Sequence, residues 1–308
     1  MEISLRQLRY FIAVAEHGSA IRAAEAINIS QPSISTAIRD LEIILDQPLF
    51  HRRYAKGLSM TPFGRRKLVE ARRIVSDASV FETTTEGETT LSGTVAFGYF
   101  TTLGPSHIPA LLRHAENQLP FLNINMAECD MEDIQQRLRD GRMEIALTYD
   151  VGMTEQITRE VLAEFVPYAV LPENHPLAKQ KSVSLHDLSK EPFILIDSPM
   201  SREFLLFPFW QHGLEPNICH MVSSVDMVRG MVANGHGVSL LITRPTLERS
   251  HDGRALISLP LRESVTGQRL VAAWSGDHPL GQTAQAYLEC MRSFFKVEKQ
   301  RFSMPVKT

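Results

Sequence analysis

From Leu5 to Leu45 apolar residues recur at helical spacing, and the period is broken twice in quick succession, at Gly18-Ser19 and at Asn28-Ile29-Ser30. Short helices joined by turns this tight gain little stability alone and must fold back on one another around a shared small core. The first segment sets Leu5, Leu8, Phe11, Ile12 and Ala15 on one face and stops near Gly18. Ser19 is placed to cap a second helix, Ala20 to Ile27, whose small face of Ala20, Ala23 and Ala24 lets a neighbour approach closely, as a helix-turn-helix requires. Ser30 reads as the N-cap of a third helix, with Pro32 in its first turn, where a missing N–H costs little. That helix continues through Ile34, Ile38, Leu41 and Leu45.

The exposed N-terminal face of the third helix carries Gln31, Ser33, Ser35, Thr36 and Arg39. Such side chains reach base edges or phosphates in a major groove, and they equally suit an ordinary capped surface helix. The following residues favour the first reading. After Pro48-Leu49-Phe50 comes the basic loop His51-Arg52-Arg53-Tyr54-Ala55-Lys56-Gly57, then Leu58-Ser59-Met60-Thr61-Pro62. A basic loop with a glycine turn between short extended pieces forms a wing that lies along a phosphate backbone. Thr61 then caps a long helix whose stripe of Leu68, Ala71, Val75 and Ala78 is expected to be too exposed for a monomer and to form a dimer interface. Charge divides the chain in the same way: residues 1–75 hold twelve Lys/Arg against seven Asp/Glu, in a chain of net charge −3, so the remainder is acidic. Only the first module is suited to a polyanion.

At this point the sequence resembles the LysR-type transcriptional regulators. The run Leu8-Arg9-Tyr10-Phe11-Ile12-Ala13-Val14-Ala15-Glu16-His17-Gly18-Ser19 is similar to that family's opening, as are Ala23-Ala24, Ile29-Ser30-Gln31-Pro32-Ser33-Ile34-Ser35 and Ile38-Arg39-Asp40-Leu41-Glu42. The match continues through Pro48-Leu49-Phe50, Arg52-Arg53 and Leu58-Ser59-Met60-Thr61-Pro62-Phe63-Gly64. Two positions depart from the family pattern: Ala20-Ile21 replaces an aromatic followed by Thr or Ser, and Thr36 stands where Arg is frequent. The resemblance implies α/β architecture overall, with an N-terminal all-α winged helix-turn-helix, a long linker helix and a C-terminal two-lobed effector domain like the periplasmic binding proteins. It implies double-stranded DNA, a small-molecule effector, further copies of the chain (homodimer or homotetramer) and RNA polymerase as partners. The DNA contacts it implies are Ser30, Gln31, Pro32, Ser33, Ser35, Thr36 and Arg39, with Arg52, Arg53 and Lys56 on phosphates.

Expected domains are 1–61 for DNA binding, 62–92 for the dimerising helix and a polar hinge (Thr83 to Ser92), and 93–308 for sensing. At 308 residues the chain suits two or three domains. From Gly93 strands and helices alternate, which predicts a largely parallel sheet. A first lobe is expected over 93–164 and 269–300, a second over 165–268, with two chain crossings forming a hinge. Ligands in such folds lie at the carboxyl ends of strands. That geometry nominates Phe100, Thr101 and Thr102 after the first strand, Cys129 and Asp130 after the second, and Thr148, Tyr149 and Asp150 after the third. In the second lobe it nominates Ser198, Ser201, Arg202 and Thr243, with Arg202 suited equally to hold an anionic effector and to pair with Glu203 or another nearby acidic residue. The resemblance supports Thr101, Thr102 and the 198–202 loop. Any Ser or Thr among these equally serves to cap a helix.

Rival classes lack support. The sequence shows no P-loop, HExxH or GxSxG pattern and no Cys/His grouping at metal spacing, so no enzyme, cofactor or metal is expected. A periplasmic solute receptor would need an export signal, whereas Met1–Gly18 carries charges through its apolar positions. No run of residues approaches a membrane span, and Cys129, Cys219 and Cys290 are too scattered for a disulfide framework, so a reducing cytoplasm is expected. A redox-active cysteine is the minor alternative.

Overall fold

Ser4 and Gly18 bound the first helix. The Ser4 hydroxyl accepts from the Gln7 N–H at 3.2 Å, while the Gln7 side-chain oxygen accepts from the Ser4 N–H at 2.9 Å, so two otherwise orphaned donors are met. Gly18 ends the helix in the left-handed region, at φ 62°, which glycine enters without steric cost. The computed structural model describes residues 3–53, 57–85, 88–89, 91–197, 201–244, 247–277 and 279–302. In it α1 (Leu5–His17) is followed by α2 (Ala20–Ala26), capped by Ser19, and α3 (Gln31–Ile44), capped by Ser30. Phe11, Val14, Ala23, Ala24, Ile34 and Leu41 turn inward into one core.

The wing is an antiparallel pair, β1 (Phe50–Arg53) and β2 (Gly57–Met60). It is pinned to the end of α1 by the Leu58 N–H, which donates to the Gly18 carbonyl at 3.2 Å. Next comes α4 (Pro62–Thr83). The Thr61 hydroxyl accepts from the Gly64 N–H and donates to the Pro48 carbonyl, both at 2.8 Å, which ties helix to wing. Gly64 permits this closeness, because a Cβ there would lie 2.1 Å from the Leu49 carbonyl oxygen.

Two expectations need correction here. Leu68 and Ala71 are 0% and 2% exposed and belong to the N-terminal core, so the predicted stripe on α4 is not an open face. Among the described side chains of α4, Ile74 and Phe81 are large apolar groups that remain exposed. The polar stretch expected as an irregular hinge instead contains a short antiparallel pair, β3 (Thr84–Thr85) and β4 (Glu88–Thr89).

The rest of the chain alternates strand and helix: β5 (Gly93–Phe100), a 3-10 turn at Thr101–Leu103, α5 (Gly104–Gln118), β6 (Leu122–Cys129), α6 (Met131–Arg139) and β7 (Ile145–Tyr149). After these come β8 (Ile157–Phe165), β9 (Tyr168–Pro172), α7 (Leu185–Lys190), β10 (Pro192–Ile196), α8 (Ser201–Gln211) and β11 (Asn217–Val222). The last elements are α9 (Val225–Ala233), β12 (Ser239–Leu241), β13 (Leu256–Pro260), β14 (Gln268–Ser275) and α10 (Gln282–Phe302). One sheet has the order β6-β5-β7-β14-β8. Its β5 is parallel to β6 and β7, while β14 returns antiparallel between β7 and β8. All of β7 and the last six residues of β5 are buried, as strands covered on both faces must be.

A second sheet, β12-β9-β13, is antiparallel and joins the parallel pair β10-β11 through a bridge between Phe193 and Val238. Each sheet has its own core. The chain passes between them twice, from β8 to β9 and from β13 to β14. The crossings run side by side, since Phe165 pairs with Gln268 and Tyr168 with Pro260. A paired two-strand connection is the geometry of a hinge.

Helix α4 rests on the first of these sheets. Arg72 bonds Glu16 of α1 at 2.8 Å and lies 3.7 Å from Glu144. The hydroxyls of Ser76 and Thr283 meet at 3.0 Å. Burial pushes the Glu144 carboxyl up, with Arg72 and the Ala96 N–H opposing.

Candidate functional site

The capping pattern of α3 sets its chemistry outward. Ile34, Ile38 and Leu41 face the core, so Gln31, Pro32, Ser33, Thr36 and Arg39 are exposed, while Ser35 is half-buried. The Gln31 amide donates to the Ser35 hydroxyl at 2.8 Å, and the hydroxyls of Ser30 and Ser33 lie 2.7 Å apart. These bonds hold a row of short polar groups along the first two turns at no cost in core packing. Arg39 makes no ion pair among the described residues. On the wing, the β1 backbone places Arg52 and Arg53 opposite Leu58 and Gly57, at the end next to the loop. Lys56 lies outside the described residues. Arg22, exposed on α2 next to the Gly18 turn, is a further cation that the sequence reading passed over.

A second polar cluster is buried between the two sheets. Tyr149, at the end of β7, lies with its phenol oxygen 3.3 Å from the hydroxyl of Thr243, which follows β12. The Tyr168 phenol donates to the Thr243 carbonyl at 2.9 Å. Burial pushes the pKa of the Tyr149 phenol up, against opposing hydrogen bonds with Thr243 and Thr102. Around this cluster two adjoining cavities open. One is lined by Thr102, Tyr149, Ser201 and Thr243 among Ile196, Leu205, Val225 and Leu241. The other is lined by Phe100, Tyr149, Ser201 and Gln268 among Met131, Val151, Phe204 and Ile242.

Of the effector residues expected from sequence, the structure therefore brings together Phe100, Thr102, Ser201 and Thr243, with Tyr149 between them. It uses the others elsewhere. Thr101 bonds Glu128, and Asp130 caps α6 by accepting from the Asp133 N–H at 2.8 Å. Thr148 is fully buried and donates to the Met131 sulfur at 3.6 Å. Asp150 pairs with Arg159 at 3.2 Å. Arg202 is held by Asp197, not by its neighbour Glu203, and lines neither cavity. Ser198 lies outside the described residues. The missing signal is long-range: Gln268, Ile242 and Leu205 reach the cleft only because the crossings bring distant segments together.

Buried thiols are poor nucleophiles. Burial pushes Cys129 up to about 12 and Cys290 up to about 11, while Cys219 is exposed. Among the described residues no cluster of three or more His, Cys, Asp or Glu is arranged to hold a metal, and no helix is long and apolar enough to cross a membrane.

A winged helix-turn-helix joined through a long helix to two hinged α/β lobes defines a ligand-responsive DNA-binding regulator. Comparison with known proteins agrees over nearly the whole chain. Residues 5–65 match the bacterial regulatory helix-turn-helix protein, lysR family, and residues 88–296 match the LysR substrate binding domain. The chain belongs to the LysR family of transcriptional regulators. The DNA-binding transcriptional dual regulator OxyR of Escherichia coli is 27% identical over 310 residues, covering 97% of this chain and 99% of that protein. Among solved structures, HinK of Pseudomonas aeruginosa, a LysR family transcriptional regulator, is 35% identical with a TM-score of 0.64, covering 94% of this chain and 98% of that one. PA01 protein, a putative LysR family transcriptional regulator from the same organism, is also 35% identical, with a TM-score of 0.65 over 95% and 99% of the two chains.

Proposed function

We propose that this regulator reads DNA through the exposed face of α3 and is controlled by a small uncharged or weakly polar molecule held at Tyr149. The observation that carries the reading is the cluster of Thr102, Tyr149, Ser201 and Thr243, hydroxyl groups set among apolar side chains between two hinged lobes. Sites of this kind hold a ligand's apolar body and orient it by a few polar groups. The lining contains no charged side chain, so an effector anchored by Arg202 is not supported. A ligand that bonds Tyr149 and Thr243 together favours the closed pair of lobes over the open one, and only that difference can shift the equilibrium.

In the working arrangement Gln31, Ser33, Thr36 and Arg39 face bases or phosphates, with Arg52, Arg53 and Lys56 on the flanking backbone. Self-association is supported by an apolar groove between α1 and α4, lined by Ile3, Leu5, Leu8, Leu45 and Ile74, and by Phe81, exposed further along α4. A second copy's α4 seated there gives a dimer with two recognition helices, and pairs of dimers give tetramers. Residues 1–61, 62–92 and 93–308 then act as reader, coupler and sensor. The protein works in the cytoplasm, by binding and not by catalysis, and passes its state to RNA polymerase at the promoter. The test is selection of operator sequences from random duplex DNA by the full chain. Enrichment of a two-fold symmetric site, with half-sites about 34–36 Å apart, is expected. Enrichment that survives Arg39→Ala and Gln31→Ala unchanged would remove α3 as the reader.

A further inference from the structure

Strand β11 is the outer strand of its pair, and its residues from Asn217 to Met221 are all exposed. Its register with β10 slips by one residue: Phe193 faces Ile218 but Ile194 faces His220, so Cys219 is an extra residue. A bulge of this kind re-aims the side chains beside it. His220 here lies against His236, which stands in the turn between α9 and β12. The two rings have centroids 6.3 Å apart and planes crossed at 86°.

The backbone around both histidines is fixed. The His236 N–H donates to the Met231 carbonyl at 3.1 Å, and the Val238 N–H to the Pro192 carbonyl at 2.8 Å. Gly237, at φ 153°, presses the turn onto the start of β10, since a Cβ there would lie 2.3 Å from the Pro192 carbonyl oxygen. The Cys219 thiol ties strand to turn, reaching the Phe193 and His236 carbonyls at 3.4 and 3.7 Å. The rings themselves are uncommitted: both are exposed, and among the described residues neither makes a hydrogen bond or an ion pair. An imidazole nitrogen binds Zn2+ at about 2.0–2.1 Å, so two rings sharing an ion at a tetrahedral angle have centroids about 5.2 Å apart. The observed pair is about 1 Å wider, a gap that rotation of two exposed side chains closes while the backbone stays in place.

We propose that His220 and His236 form an open two-histidine site for a divalent transition-metal ion of the Zn2+ kind, with water completing its coordination. Imidazole suits Zn2+, Ni2+ and Cu2+, whereas Mg2+ and Ca2+ require oxygen donors. The ion fastens the outer strand to the turn that leads into β12, the strand that Thr243 of the cleft follows. The site lies apart from that cleft and does not depend on what occupies it.

The test is calorimetric titration of the full chain with Zn2+ near neutral pH. Saturable binding in the micromolar range is expected, weakened at least about tenfold by His220→Gln and by His236→Gln alike, since even groups that only orient a metal ligand are worth that factor. Both side chains are exposed, so the urea unfolding midpoints of these variants are expected to match the parent's without metal. His251→Gln removes another exposed histidine, one that faces Asp226 at 3.4 Å, and is expected to leave Zn2+ binding unchanged. Absence of saturable binding, parent-like affinity in either His220→Gln or His236→Gln, or an equal loss in His251→Gln would each overturn the proposal, the last by placing the ion beside Asp226.

Discussion

The phenol of Tyr149 lies 3.3 Å from the hydroxyl of Thr243, joining the end of a strand in one sheet to the segment just beyond a strand in the other. The bond is buried, and it stands where the two lobes meet. Replacing Tyr149 by Phe removes it while keeping the ring that stacks edge-on against Phe100, with centroids 5.8 Å apart. A loss of about 1 kcal/mol in urea unfolding is expected, the ordinary net worth of one hydrogen bond. Thr243→Val should cost a similar amount, because the Tyr168 phenol bonds the Thr243 carbonyl, which valine retains. Both variants should lose the thermal shift given by an effector. A variant that keeps that shift would place the effector elsewhere.

His107 supplies a test by pH. Its ring is 1% exposed, stacks on Phe165 at 5.5 Å, and is pushed down to about 4 by burial. A histidine whose folded value lies below its unfolded value of about 6.5 contributes stability that is present above pH 6.5 and lost as pH falls through 4. The full span corresponds to about 3 kcal/mol. His107→Phe is expected to flatten this part of the acid limb, measured by urea unfolding at a series of pH values. An acid limb as steep as in the parent protein would show that other groups drive it.

The capping chemistry was readable from sequence because it is local. Ser19, Ser30 and Thr61 each satisfy an N–H three residues on, and α3, fixed by Ser30 and Ile34, shows the polar face the spacing required. The cleft was half readable. A polar residue at a strand end either caps the next helix or faces a ligand, and residue type does not choose between them. Asp130 caps, while Thr102 lines the cleft. Strand β8 was hidden because Arg159, Glu160 and Glu164 interrupt its alternation; its pairing comes from β14, more than a hundred residues away. The docking of α4 through Arg72 was equally invisible, because its partners Glu16 and Glu144 come from opposite sides in sequence.

The three thiols separate by reactivity. Cys129 and Cys290 are buried and pushed up to about 12 and 11, so at neutral pH neither offers a thiolate, and only Cys219 is exposed. Iodoacetamide treatment of the native protein near neutral pH should modify one cysteine per chain, at Cys219, and all three after denaturation. Peptide mapping by mass spectrometry reads this directly. Rapid native labelling of Cys129 would reopen a covalent switch at the cleft side of β6.

The face of α3 makes two distinguishable predictions for DNA binding. Arg39 is exposed and makes no ion pair among the described residues, so on DNA its charge is free to meet a phosphate. Neutralising one phosphate releases counterions, and removing that contact should lower the slope of log K against log salt by about 0.9. Arg39→Ala is therefore expected to weaken binding to every duplex by a similar factor, more at low salt than at high. Gln31 behaves differently. Its amide is already oriented by the Ser35 hydroxyl at 2.8 Å, as a group that reads a base edge would be. Gln31→Ala should leave the salt slope unchanged and reduce the preference for the selected operator over a site altered at one base pair, by about 1–3 kcal/mol. Fluorescence anisotropy titrations at several salt concentrations, on the selected and altered duplexes, measure both quantities together. If Arg39→Ala changed preference and Gln31→Ala changed the slope, the two roles would have to be exchanged, and the helix would enter the groove rotated from the orientation its caps suggest.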